Sequence, residues 1–453
     1  MPNTVKSHDI WGASCTITNT SRDVLDHWAQ TVLSLCAHRA DVGAHLDATL
    51  KADSGFLPAL CVRGFALLFR GQNALRPDAL EFAERAREEA RRRGATSREQ
   101  LLIDALTHWS KDDLRGARSS LEAMTASCPT DLFALKLLHG LLFLVGEPAG
   151  MRRSLEDAHP AWAGGDVPGH GYFLGCLAFA LGETGDLHDS EARGREAVDV
   201  EPSDAWGVHA VAHVMETTDR VHDGAAWLDA HQESFADCSV FRGHVYWHQA
   251  LFLCELGRYE EALALYDTEV NRPWCGDYRD MSNASSLLWR METDGVNVGT
   301  RWETLAAIAV EHCRDHGSAF ADAHYLLALA RGSQHGAREL LGSLVAYTER
   351  GGEGDQFATV RDRGLPLCRA IWASERRQCS AEELTVLSRD MLPLGGSTAQ
   401  RDLFTLYAID AAIRSGDNAR AERALYARLK ARPDNRWARA RIGEPEDLAH
   451  LSK

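Results

Sequence analysis

The chain has 453 residues, 45% hydrophobic and 25% charged, with 49 Lys and Arg against 65 Asp and Glu, for a formal net charge of -16. That is globular composition, long enough for two or three ordinary domains or one extended repeat array. So acidic a chain lacks the basic footprint that nucleic acid or an anionic membrane surface demands.

At the N-terminus, residues 1–8 lack the apolar core of a secretory signal. No apolar run approaches the roughly 18 residues of a membrane span. The 11 cysteines are odd in number and never spaced C-x-x-C, which suits reduced thiols in a cytoplasm better than a disulfide framework or a zinc ribbon.

Further along, sustained period-2 alternation is missing, and no Asn-Gly or Asp-Gly turn joins β-branched runs. Apolar segments rich in Leu and Ala, at 101–109, 133–145 and 172–181, alternate with charged amphipathic ones at 77–93 and 191–200. The arginine-rich run 85–93 is interleaved with Glu84, Glu88 and Glu89, the pattern of a solvated helix face with i, i+4 pairs. The fold class expected is all-α.

Short turn motifs recur between paired helices: Gly182-Glu183-Thr184-Gly185-Asp186-Leu187, Leu256-Gly257-Arg258-Tyr259-Glu260-Glu261-Ala262 and Ser415-Gly416-Asp417-Asn418-Ala419-Arg420-Ala421. Each puts Gly where one helix ends and the next packs back. Pro129, Pro202 and Pro433 follow the second helices. This is the grammar of a tetratricopeptide-like helix-turn-helix solenoid, whose period is about 34 residues. First helices are expected near 170, 204, 241, 282 and 319, within one continuous curved superhelix over 1–453 that has longer connections near 351–354 and 393–397.

Among 20 histidines, two pairs stand at i, i+4: His209 with His213, and His244 with His248 one unit later. That spacing stacks both imidazoles of a pair on one helix face, and first helices line the concave side of such arrays. Glu216 follows His213 on nearly the same face. Three readings stand: a divalent metal site of His209, His213, His244 and His248; acid–base catalysis or polar ligand recognition; or buried histidines that hold helices in register. Neither H-E-x-x-H nor the Glu-x-x-His of carboxylate-bridged di-iron sites is present.

Trp206, Tyr246 and Trp247 flank the histidines, as core residues or as walls for a planar ligand. His324, Gln400, Arg401 and Asp402 lie on later first helices. Arg401 and Asp402 either pair with each other or face the groove, where Arg401 would be a planar fork for a carboxylate or phosphate. Asp280 or Ser282 is expected to cap one helix and Ser397 another. No Walker loop, Rossmann fingerprint or nucleophile elbow occurs, so no nucleotide cofactor is expected.

Residues 204–216, with Tyr246-Trp247-His248-Gln249-Ala250-Leu251-Phe252, Ala284-Ser285-Ser286-Leu287-Leu288-Trp289-Arg290 and Gly395-Gly396-Ser397-Thr398-Ala399-Gln400-Arg401-Asp402, resemble the tetratricopeptide repeat protein 38-like family. So do 98–111 and 131–139, and the resemblance spans nearly the whole chain. It implies a single curved helical array and a polar groove of His209, His213, His248, His324, Gln400, Arg401 and Asp402. His244 matches more loosely, and His170 is peripheral. It implies no particular reaction.

The functional expectation is therefore a His/Trp/Tyr/Arg/Asp pocket for a small polar or anionic molecule, with hydrolase- or lyase-type chemistry. His209, His213 and His248 would act as bases or metal ligands, oriented by Asp204, Glu216 or Asp402. The alternative is an interaction scaffold that binds a peptide in the concave groove. The acidic helical surface is also compatible with a homodimer.

Overall fold

The computed structural model describes residues 4–6, 16–18, 20–271, 277–378 and 381–442. Apart from a two-stranded ribbon at 4–6 and 16–18, these residues form an all-α array of antiparallel helix pairs. It runs from Arg22–Cys36 with Val42–Ala52, through His170–Glu183 with Leu187–Val200 and Ala205–Thr217 with Val221–Ala230, to Thr398–Ser415 with Asn418–Ala431. None of the described helices is long and apolar enough to cross a membrane.

Local chemistry starts and stops these helices. Side chains of Thr96, Asp113, Asp131, Asp204, Ser318 and Ser397 each accept a backbone N–H in the first turn, satisfying donors that have no partner inside the helix. Second helices end at Ser127, Val200 and Ala431, two residues before Pro129, Pro202 and Pro433. The expected first helices begin at His170, Ala205, Val240, Tyr278 and Ala319. The fourth starts earlier than its expected position because Asp277, and neither Asp280 nor Ser282, is its cap. The Asp277 carboxylate accepts the Arg279 N–H at 2.9 Å, while Ser282 lies inside the helix and donates to the Tyr278 carbonyl at 2.7 Å.

One feature lacked a sequence signal. Thr4–Lys6 pairs antiparallel with Thr16–Thr18, and the Glu99 carboxylate holds this ribbon through the backbone N–H (3.1 Å) and hydroxyl of Thr18.

Neighbouring first helices pack side by side, and the superhelix winds tightly enough for distant pairs to meet. Arg39 bridges to Cys238 and Gln72 to His316. Asp112 accepts the backbone N–H groups of Gln356 and Phe357, both at 3.1 Å. A Cβ at Gly354 would overlap the Asp112 carboxylate, so only glycine lets that loop approach. Farther on, Glu183 accepts the Thr398 N–H at 3.0 Å, and Glu255 accepts the Arg436 N–H at 2.8 Å. Gly395, at φ 78°, turns the chain against the Leu144 carbonyl.

Candidate functional site

The site begins with two adjacent first helices. In Ala205–Thr217, helical spacing puts Trp206, His209 and His213 on the inward face. In Val240–Glu255 it does the same for Phe241, His244 and His248. The two helices neighbour each other in the array, so the two imidazole pairs interlock. Ring centroids lie 4.3 Å apart for His209 and His213, 4.5 Å for His213 and His248, and 4.8 Å for both His209–His244 and His244–His248. The Nε2 atom of His209 is 2.9 Å from Nε2 of both His244 and His213. One ligand atom from each ring fits within 4.8 Å of all the others.

Outer partners hold three of the rings. Nδ1 of His248 lies 3.1 Å from the Glu216 carboxylate, Nδ1 of His244 lies 3.1 Å from Asn283 Oδ1, and Nδ1 of His213 lies 3.6 Å from Glu183. Burial pushes the Glu216 carboxyl up, but the hydrogen bond and charge of His248, with Arg432 behind, outweigh it and bring it down to about 2. Glu183 likewise stays below the usual range: burial opposes its charge, while His213, Arg401 and the Thr398 N–H favour it. Burial, then neighbouring imidazoles, hold His209 and His244 well below the ordinary histidine value. His248 falls to about 4 through burial and His213, with Glu216 opposing. These three rings are neutral at physiological pH.

Beside the tetrad lies a cavity of about 310 Å³. Trp206, Phe69, Phe133, Phe143, Phe241 and Tyr278 supply aromatic walls, and His209 and His244 supply the edge shared with the tetrad. His38 stacks on Trp206 at 5.3 Å and on Phe241 at 4.6 Å. The Lys136 ammonium sits 5.6 Å from the Trp206 ring centre. Arg279, also on the wall, is ion-paired with Asp277 at 2.6 Å.

The remaining expected residues disperse. Gln400 lines the cavity while its side chain closes the capping box with Ser397. Asp204 caps the His209 helix through the Gly207 N–H at 3.0 Å. Tyr246 turns away onto Phe235 and Arg242, and Trp247 is core, stacked on His244. His324 packs on Phe320 and Phe404, with its Nδ1 2.8 Å from the Phe320 carbonyl. His170 stacks on Trp162.

Two expectations need correction. Arg401 and Asp402 neither pair with each other nor offer a fork to the cavity. Arg401 bonds the Gly396 carbonyl and reaches Glu183 at 3.4 Å. Asp402 pairs with Arg428 through two hydrogen bonds of 2.7 and 2.8 Å. A buried ion pair fixes both partners, so neither group is free to anchor a ligand.

Sequence reasoning missed Glu183, Asn283, His38, Phe241 and Lys136. Lys136 did carry a signal, as the single Lys or Arg in the helix Leu132–Leu144, which is otherwise apolar except for His139. Glu183 and Asn283 carried none, because they meet His213 and His244 only through packing between repeats.

No protein-family model matches the chain. Among solved structures it is similar to a crystal structure of the P58(IPK) TPR domain, at 14% sequence identity, over 76% of this chain and 89% of that one, with a TM-score of 0.23. That match is too distant to inform the fold, which the helix pairing itself establishes.

Proposed function

We propose that the chain is a binding protein built on a helical-repeat scaffold, and that what it binds enters the aromatic cavity beside the histidines. The observation that supports this reading is the cavity itself: about 310 Å³, walled by aromatic rings, with a surface that is mostly apolar. Ligand sites have this composition, mostly apolar with a small number of placed polar atoms. Of the two cations on this wall, Arg279 is paired with Asp277, whereas Lys136 is hydrogen-bonded to Cys176 and feels the charge of Asp204 without an ion pair at contact distance; the ligand class is therefore a small planar or apolar molecule that carries an anionic group toward Lys136. Any acid–base chemistry of the hydrolase or lyase kind would fall to His209 and His244, the members of the tetrad that line the cavity. The likeness of the histidine segments to the tetratricopeptide repeat protein 38-like family belongs to the same proposal.

The test uses the full-length protein and 2-naphthoate, an aromatic carboxylate whose own fluorescence reports binding. Saturable one-site binding is expected in the wild type. Lys136→Met should weaken it by roughly 10-fold or more, the scale of one charge-assisted hydrogen bond. Gly140→Leu, which grows a side chain on the cavity wall against Phe69, should abolish it. Unchanged affinity in both folded variants would place the ligand elsewhere.

The second reading is a protein-interaction scaffold, and the repeat architecture favours it. Arrays of helix pairs commonly hold extended peptides along their first helices, and first helices line this cavity. Here a peptide segment would enter the concave side with an aromatic or acidic residue in the cavity. Failure of 2-naphthoate to bind, with capture of acidic peptides that Gly140→Leu blocks, would decide for this reading.

A further inference from the structure

We propose that His209, His213, His244 and His248 ligate one divalent transition-metal ion through their four Nε2 atoms.

The outer partners orient the rings. Nδ1 of His248 faces the Glu216 carboxylate at 3.1 Å, which leaves Nε2 of that ring turned toward the centre. Nδ1 of His244 likewise faces Asn283 Oδ1 at 3.1 Å, and Nδ1 of His213 lies 3.6 Å from the Glu183 carboxylate. Their Nε2 atoms converge with that of His209 in the buried space between the two helices.

His209 can bring at most one proton to that centre. Its Nε2 touches two of the other Nε2 atoms at 2.9 Å, its own Nδ1 is buried without a partner, and so is Nε2 of His248. A proton on His209 Nε2 serves only one of its two 2.9 Å neighbours, and Nε2 of His248 has none, so buried ring nitrogens are left over there. A hydrogen-bonded histidine network would leave them unpaired, at a cost buried polar atoms rarely bear. A cation satisfies all four.

The geometry agrees. Metal–imidazole bonds of about 2.0–2.1 Å place tetrahedral ligand atoms about 3.3 Å apart, so the 2.9 Å pairs need to open by a few tenths of an ångström and the widest separation, 4.8 Å, to close by about 1.5 Å. Three of the four rings also have the outer acceptor that metal-bound imidazoles characteristically use to fix tautomer and orientation. Those acceptors are themselves anchored: Glu183 by Thr398 and Arg401, Glu216 by Arg432. Four neutral nitrogens suit zinc, cobalt, nickel or copper rather than calcium or magnesium. The wall shared by His209 and His244 gives the ion a route in from the cavity, which is the one point where this inference touches the proposed function.

The test is a titration of untagged, chelator-stripped, full-length protein with Co²⁺ alone. Saturation at one equivalent, with the intense visible absorption of a four-coordinate site and displacement by Zn²⁺, is expected. His213→Ala and His248→Ala should abolish that absorption. Glu216→Gln and Glu183→Gln preserve volume and should lower affinity by roughly 10- to 100-fold while the far-ultraviolet circular dichroism stays native. Absence of saturable absorption in the wild type would overturn the proposal. So would undiminished binding in a folded His213→Ala or His248→Ala protein, or in both Gln variants. Binding of 2-naphthoate is measured on the same stripped protein, so the metal and cavity proposals fail separately.

Discussion

Asp204 is fully buried where the His209 helix begins, and its carboxylate accepts the Gly207 N–H. Burial pushes it up to about 7, against the Lys136 charge and the N–H groups of Gly207 and Trp206. The ordinary aspartate value is 3.8. Between those values the folded protein retains a proton that the unfolded chain has released, so stability falls as pH rises from about 4 to about 7 and then levels off. Each unit between the two values corresponds to about 1.4 kcal/mol. Asp204→Asn keeps a good capping acceptor and removes the charge. Urea unfolding should show it more stable than wild type at about pH 8, with that advantage gone near pH 4. Parallel profiles for the two proteins would mean that Asp204 ionises normally in the fold.

The helices depend on one another through their ends. Ser397 and Gln400 close a capping box at the start of Thr398–Ser415, and the same segment's Thr398 N–H reaches back to Glu183. Ser397→Ala should cost about 1 kcal/mol, the usual worth of a cap, as a lowered urea midpoint at unchanged slope. Asp112 carries more. It pairs with Arg76 at 2.8 Å and accepts the Gln356 and Phe357 N–H groups that open the short helix Asp355–Thr359. Asp112→Ala strands a part-buried guanidinium and two backbone donors together, so a loss of about 3 kcal/mol is expected. A loss below that of Ser397→Ala would show that water takes over those contacts.

An open solenoid is quasi-one-dimensional: each repeat touches its neighbours and stability adds pair by pair. This molecule departs from that scheme because its turns meet. Glu183 holds Thr398 and Arg401, Asp219 accepts the Asp434 N–H at 2.6 Å, and Glu255 holds Asn435 and Arg436. Removing residues 381–453 should therefore loosen helices that are remote in sequence. Hydrogen exchange in Ala205–Thr217 should quicken in the shortened chain as much as in its last remaining pair. Protection there equal to that of the full chain would mean that the contacts between turns contribute little.

Local chemistry accounts for what was legible in the residues. Helix caps, Gly and Pro punctuation and the 3.6-residue period act over a few positions, and they placed the first helices at 170, 205, 240 and 319 to within a residue. The i, i+4 pairs His209–His213 and His244–His248 were equally legible, since one helix turn sets each and a neighbouring repeat suffices to join them across 35 residues. The Glu183, Asn283, His38 and Lys136 settings, the diversion of Arg401 to a carboxylate 218 residues away and that of Asp402 to Arg428 were not. They depend on the pitch and curvature of the superhelix. That quantity is a small rotation per helix pair summed over many pairs, so no short stretch of residues encodes which side chains finally face each other across the axis.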